Sequence, residues 1–291
     1  MRLLAWLLLP LLALCGGTAA AAPFKSDRIS IEVRGKGPDV VLIPGLSSSP
    51  RVWDATVAAL PGYRYHLVHV AGFDGAAPGA NATGPVVAPV AEEIARYIGE
   101  AKLKKPAIVG HSLGGSWAML VAARHPQLVS KVMVVDMFPF MGAMFAGPAA
   151  TADAVRPIAE QIRKGIQSGT GDARKPAIEK TVAGMVKTES ARPTIVAQSL
   201  ASDPTVSGQA MYELILLDLR PELANIKVPM EVLYAVPPGA PVTPEQMDQF
   251  FKLSYAATPQ ASVKRIPDSY HFIMIDQPAA FQAELKAFLA K

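Results

Sequence analysis

The chain has 291 residues, 51% of them hydrophobic and 18% charged, with a formal net charge of +4. That is too apolar for a disordered chain and ample for one large domain, with or without an insertion. The charge is small and scattered; the pairs Lys104-Lys105 and Lys264-Arg265 read as solvated surface, and no basic stripe suited to nucleic acid is present.

At the N-terminus, Arg2 precedes an apolar run from Leu3 to Leu14, and small residues follow, ending Ala19-Ala20-Ala21-Ala22-Pro23. A short positive region, an apolar stretch of about a dozen residues and an A-x-A site predict a signal peptide over 1–22. The run is short of the roughly 20 residues a spanning helix needs, and Pro10 and Gly16-Gly17 interrupt it. Leu14 stands before Cys15 where a lipid-attachment signal needs a small residue. Cys15 is the only cysteine, so a cleaved chain has no thiol for a nucleophile, a metal site or a disulfide. The expectation is an exported protein, periplasmic or secreted, with no stable membrane span after leader cleavage.

After the leader, Ile29, Ile31 and Val33 alternate as in a strand, and Val40 to Ile43 is a continuous apolar run typical of a strand buried on both faces. Helical spacing follows over 51–60, a strand over 65–70, a Gly-, Ala- and Pro-rich loop over 71–85, and a helix over 89–100. The strand Ala107 to Val109 leads through the turn 110–115 into a helix that His125-Pro126 ends, and the strand 131–135 comes next. This alternation predicts a doubly wound, mostly parallel sheet flanked by helices. It breaks after residue 138, where only helical patterns occur until the strand Met230 to Tyr234. A helix over 243–253, a strand over 261–266 and a last helix over 278–290 close the chain. The expected organisation is an α/β core over 23–138 and 226–291, with residues 139–225 as a helical cap above the strands' carboxyl ends, where open α/β sheets place their ligands.

Gly110-His111-Ser112-Leu113-Gly114 fits G-x-S-x-G with a strand before it and a helix after it. A sharp strand-to-helix turn presents the serine hydroxyl beside a helix N-terminus, whose dipole favours developing negative charge, and small neighbours avoid clashes. Ser112 is therefore the candidate nucleophile. Of five histidines, His66 and His69 lie in an apolar strand, His111 is inside the turn and His125 ends a helix. His271, on a loop between the last strand and the last helix, is the candidate general base.

The run Val40 to Leu46, the Gly-His-Ser-Leu-Gly-Gly turn and the segment Ile266 to Phe272 together resemble the α/β-hydrolase superfamily, and most closely its capped esterase- and lipase-like members. The resemblance covers nearly all of residues 28–291. It implies an oxyanion hole made by the N–H groups of Leu46 and Leu113, with Pro44 standing where the family often has histidine. It also implies a catalytic acid in the loop after the strand ending at Tyr234, but that loop, Ala235 to Pro244, contains none, and Ala240 holds the expected position. Three readings stay open: Asp136 at the end of the preceding strand (the favoured one), Glu245 or Asp248 on the next helix, or a Ser112–His271 dyad.

Trp53 and Phe73 are candidates for the pocket wall or for plain core, and Met141, Met144 and Phe145 for substrate contact or for cap packing. No metal-ligand spacing, phosphate loop or dinucleotide fingerprint occurs, so no cofactor or metal is implied. The resulting expectation is a serine hydrolase acting through an acyl-enzyme on an ester-like bond of a small to medium apolar substrate. A lactonase, a proline-iminopeptidase-type peptidase or a perhydrolase would use the same residues. A hydrolase of carbon–halogen bonds needs a carboxylate where Ser112 stands. The rival of another class, raised by the empty loop at Ala240, is a degenerate hydrolase fold that binds a ligand or partner.

Overall fold

A computed structural model describes residues 24–169, 171–240 and 242–291. The expected signal peptide, with Cys15, lies outside the described residues.

Among the described residues seven strands form one sheet: β1 (Ile29–Gly35), β2 (Asp39–Ile43), β3 (Arg64–Val70), β4 (Ala107–His111), β5 (Lys131–Val135), β6 (Met230–Tyr234) and β7 (Ala261–Arg265). Their spatial order is β1-β3-β2-β4-β5-β6-β7. All neighbours are parallel except β1 and β3, which pair antiparallel. The antiparallel start is a refinement: the short turn Lys36 to Pro38 reverses the chain, too short for the crossover a parallel neighbour needs. Burial follows position. Central β4 and β6 are buried at every residue, as parallel strands covered on both faces must be, whereas edge strand β7 alternates between partly buried and exposed positions.

The helix Leu113–Arg124, directly after β4, is buried at every residue but its last. It is apolar all round because it packs between the sheet and its neighbours. Trp117 at its centre is fully buried and donates its indole N–H to the Val87 carbonyl at 2.9 Å. His66 is similarly structural, bonded through its two ring nitrogens to the Tyr97 hydroxyl at 2.5 Å and the Asp39 carboxylate at 2.9 Å.

Among the described residues between β5 and β6 the chain forms helices and no named strand, chiefly Ala152–Ser168, Lys175–Met185, Arg192–Ala201 and Pro204–Leu216, with one isolated antiparallel bridge between Phe140 and Asp218. They meet the core through two apolar clusters. Val206, Ala210 and Leu214 join the face that carries Phe73 and Trp117, while Val182, Val186, Ile195 and Val196 join Phe272 to Met274. Asp218 pairs with Arg220 at 2.6 Å, and Arg220 also donates to the Pro148 and Ala150 carbonyls, which ties the return to β6 to the first turn of the insertion.

Candidate active site

Ser112 stands one residue past β4 and immediately before the helix that opens at Leu113, with φ 54° and ψ −125°. A side-chain-bearing residue reaches positive φ only when its surroundings impose it. Here the surroundings are visible in the glycines. A Cβ on Gly110 would lie 2.0 Å from the Gly114 carbonyl oxygen, and one on Gly114 would lie 2.3 Å from that of Ile43. The turn closes so tightly over the end of β2 that only glycine fits at both places, which forces Ser112 outward.

His271 lies on the loop between β7 and the short helix Ile273–Asp276. Its Nδ1 is 2.6 Å from Oδ2 of Asp136. A carboxylate only accepts, so Nδ1 carries a proton, which in the neutral ring leaves Nε2 as the nitrogen with the lone pair. Asp136 stands one residue past β5 with φ 53°, a backbone region that Asp tolerates better than most residues. Its N–H donates to the Leu233 carbonyl at 2.7 Å, and its Oδ1 accepts the Ala235 N–H at 3.0 Å. The carboxylate is thus anchored at one oxygen and aimed at His271 with the other. The other two acids are engaged elsewhere: Asp248 accepts the Tyr234 hydroxyl at 2.6 Å and faces Arg265, and Glu245 is exposed. The loop that carries Ala240 turns back on itself through a 3.2 Å bond from the Ala240 N–H to the Pro237 carbonyl.

Leu113 is the first residue of its helix, where an N–H has no partner within the helix. Leu46 lies in a tight turn closed by the Ser48 N–H donating to the Gly45 carbonyl at 3.3 Å, with Ser47 at φ 53°. Among the described residues, neither the Leu46 nor the Leu113 N–H has a protein acceptor. The two segments touch: a Cβ on Gly45 would be 3.0 Å from that of Ser112. The insertion holds the Leu46 turn from above. Gln198 Oε1 accepts the Ser49 N–H at 3.1 Å, and the Ser47 and Ser207 hydroxyls are 2.8 Å apart.

His111 is fully buried beside Ser112. Its Nε2 lies 3.0 Å from the backbone carbonyl of His271, an acceptor, so Nε2 bears the proton. Burial, reinforced by the neighbouring His271, holds its imidazole well below the usual histidine range, and the ring is neutral. It braces the His271 loop from beneath, with its ring centroid 4.6 Å from those of His271 and Phe272.

Trp53 and Phe73 are fully buried and belong to the core, not to a pocket wall. Met144 and Phe145 are exposed, so they are not what packs the insertion onto the sheet; Met141 is partly buried and packs against both the core cluster on the Trp117 face and the insertion's own cluster of Phe140, Ala143 and Ile215. Among the described residues no group of three or more His, Cys, Asp or Glu could hold a metal ion, and no helix is long and apolar enough to cross a membrane. The sequence reading missed Gln198, Ser207 and the bracing role of His111.

With this geometry in view, the profile of the alpha/beta hydrolase family matches residues 40–284. The chain belongs to that family. Among other alpha/beta hydrolases, it is 28% identical over 268 residues to a protein of Vibrio vulnificus named pimeloyl-[acyl-carrier protein] methyl ester esterase, covering 89% of this chain and 97% of the relative. Solved structures agree in fold. An esterase from Exiguobacterium antarcticum superposes with a TM-score of 0.76 at 20% identity, covering 90% of this chain and 96% of that one. An enol-lactonase from Burkholderia xenovorans superposes at 0.72 with 19% identity and the same two coverages, 90% and 96%.

Proposed function

We propose that this alpha/beta hydrolase is a serine esterase that cleaves carboxylic esters of small to medium apolar substrates through an acyl-enzyme. The observation that carries the reading is the 2.6 Å bond from His271 to Asp136, next to a serine presented on a strained turn. Ser112 Oγ attacks the ester carbonyl carbon while His271 Nε2 takes its proton. Asp136 stabilises the imidazolium that forms and keeps its tautomer fixed. The Leu46 and Leu113 N–H groups receive the oxyanion, each contributing about 3 kcal/mol on the scale of such donors. Collapse of the tetrahedral intermediate expels the alcohol, which takes its proton from His271. Water, activated by the same imidazole, then releases the acid and restores the serine. No cofactor is needed for this cycle.

Several relatives named as methyl ester esterases support ester hydrolysis over the peptidase and perhydrolase readings. The Asp136 contact also weighs against a degenerate binding protein, whose motive was the acid-free loop at Ala240. We further infer export, from the N-terminal apolar run and A-x-A site; deleting residues 2–22 is expected to retain the protein in the cytoplasmic fraction.

A panel of p-nitrophenyl esters of increasing acyl length tests the activity. Hydrolysis that peaks at short or medium chains and disappears in Ser112→Ala supports the reading. Equal turnover by wild type and Ser112→Ala overturns it.

A further inference from the structure

The base loop and the helical insertion share one carboxylate. Asp276 ends the short helix that follows His271, five residues further along the chain. Its Oδ2 accepts two backbone N–H groups, from Tyr270 at 3.0 Å and from Lys187 at 3.1 Å. Its Oδ1 accepts a third, from Thr188 at 2.9 Å. Tyr270 immediately precedes His271, whereas Lys187 and Thr188 belong to the bend after the helix Lys175–Met185. Charge-assisted bonds of this kind are about twice as strong as neutral ones, and three on one group fix its surroundings in three directions.

Other polar contacts around the His271 loop hold it in the same place. The Phe272 N–H donates to the Met185 carbonyl at 3.2 Å, and the His271 carbonyl accepts from His111. The Lys187 ammonium reaches the Asp268 carboxylate at the start of the loop. On the insertion side, Arg192 occupies the Val186 carbonyl at 2.9 Å and that of Lys187 at 3.3 Å. Beneath them Val186 is fully buried in the same apolar cluster as Phe272 and Ile273. The bend is thereby stitched to the base loop, with Asp276 as the knot.

We propose that Asp276 is a positioning residue: by clamping the Lys187-Thr188 bend of the insertion to the Tyr270 peptide, it sets where His271 stands relative to Ser112. The inference rests on the serine esterase reading. Asp276 touches neither substrate nor reacting atoms. Its effect falls on the step in which His271 moves a proton, where a displacement of about 1 Å can cost a hundredfold in rate. Substrate binding is largely untouched, so the loss appears in kcat and not in KM.

Two variants test the clamp from its two sides. Asp276→Asn keeps one acceptor oxygen and sets an NH2 group against a backbone N–H. Thr188→Pro removes the donor to Oδ1 and sets a ring CH2 where that N–H stood, so the carboxylate must withdraw from the bend, at a residue whose φ of −69° lies in proline's own range. For Asp276→Asn, kcat on an ester substrate and the rate of fluorophosphonate labelling are both expected to fall tenfold or more, with KM within about twofold. Thr188→Pro is expected to show a loss of the same form. In an Asp136→Asn background, where His271 has already lost its orienting partner, Asp276→Asn is expected to cost little more, because the two act through one imidazole. A purely structural role would lower the melting temperature and multiply unchanged in that background. Asp276→Asn with wild-type kcat, or with its full loss retained beside Asp136→Asn, overturns the inference. If Asp276→Asn does not fold, wild-type kcat in Thr188→Pro overturns it. Wild-type labelling that survives Ser112→Ala overturns the esterase reading itself, and this inference with it.

Discussion

Ser112 and Asp136 occupy equivalent places on adjacent strands. Each stands one residue past its strand's end, at φ 54° and 53°, and the Ser112 N–H donates at 2.9 Å to Val135, the residue before Asp136. The sheet itself therefore sets the spacing of Ser112 and Asp136, the proposed nucleophile and acid, and the loop after β7 brings His271 against Asp136.

Asp136→Asn tests that arrangement. The amide still accepts the Ala235 N–H, so the fold and melting temperature are expected to survive. Facing His271 Nδ1 with an amide disrupts the tautomer, and kcat is expected to fall about a thousandfold or more with KM little changed. Steady-state kinetics on one ester substrate decide it; a loss under tenfold would remove Asp136 from the mechanism.

The turn around Ser112 makes a stability prediction. In Gly114→Ala the new methyl would meet the Ile43 carbonyl oxygen at 2.3 Å and that of Pro44 at 2.6 Å, both rigid backbone. Destabilisation of roughly 2–4 kcal/mol is expected, on the scale of overpacked buried sites. Urea unfolding followed by fluorescence measures it. Gly99→Ala is the control, because nothing lies within 4 Å of its added Cβ.

Buried His111 predicts acid sensitivity. Its folded pKa lies below its unfolded value, so the unfolded chain binds the extra proton first. The stability this histidine contributes is fully present above about pH 6.5 and is lost as pH falls toward the depressed folded value. Melting temperature is expected to decline below about pH 6.5, and His111→Gln is expected to flatten the decline between pH 6.5 and 5. An unchanged slope in that variant would place the acid sensitivity elsewhere.

Gln198 links the insertion to the Leu46 turn. Gln198→Leu leaves the Ser49 N–H buried without its acceptor, a cost of about 1–3 kcal/mol. Turnover is expected to fall at the same time, because the loosened turn carries a proposed oxyanion donor. Parallel melting and kinetic measurements separate the two effects; full turnover would show that the Leu46 turn holds its place without Gln198.

What the sequence made legible was local. The alternation of strands and helices, the break after residue 138 and the G-x-S-x-G turn each depend on neighbours a few positions apart. The glycines at 110 and 114 are required by contacts within the turn and with the adjacent end of β2. Asp136 could be named only as one of several acids, because its partner lies 135 residues away and the strand end alone looks ordinary. Asp276 left no signal at all: its partners are backbone N–H groups, which any residue type supplies, and two of them lie 88 and 89 residues distant. Trp53 and Phe73 were ambiguous for a related reason. An aromatic residue near a catalytic loop has the same pattern whether it faces substrate or, as both do, the core.

The central claim is that Ser112 is a nucleophile activated by His271. The most direct measurement is covalent modification by a fluorophosphonate, with the modified peptide located by mass spectrometry. One equivalent of label per chain is expected, on Ser112, with labelling slowed by orders of magnitude in His271→Ala. Absence of label on the wild type, or label on a serine other than Ser112, would contradict it.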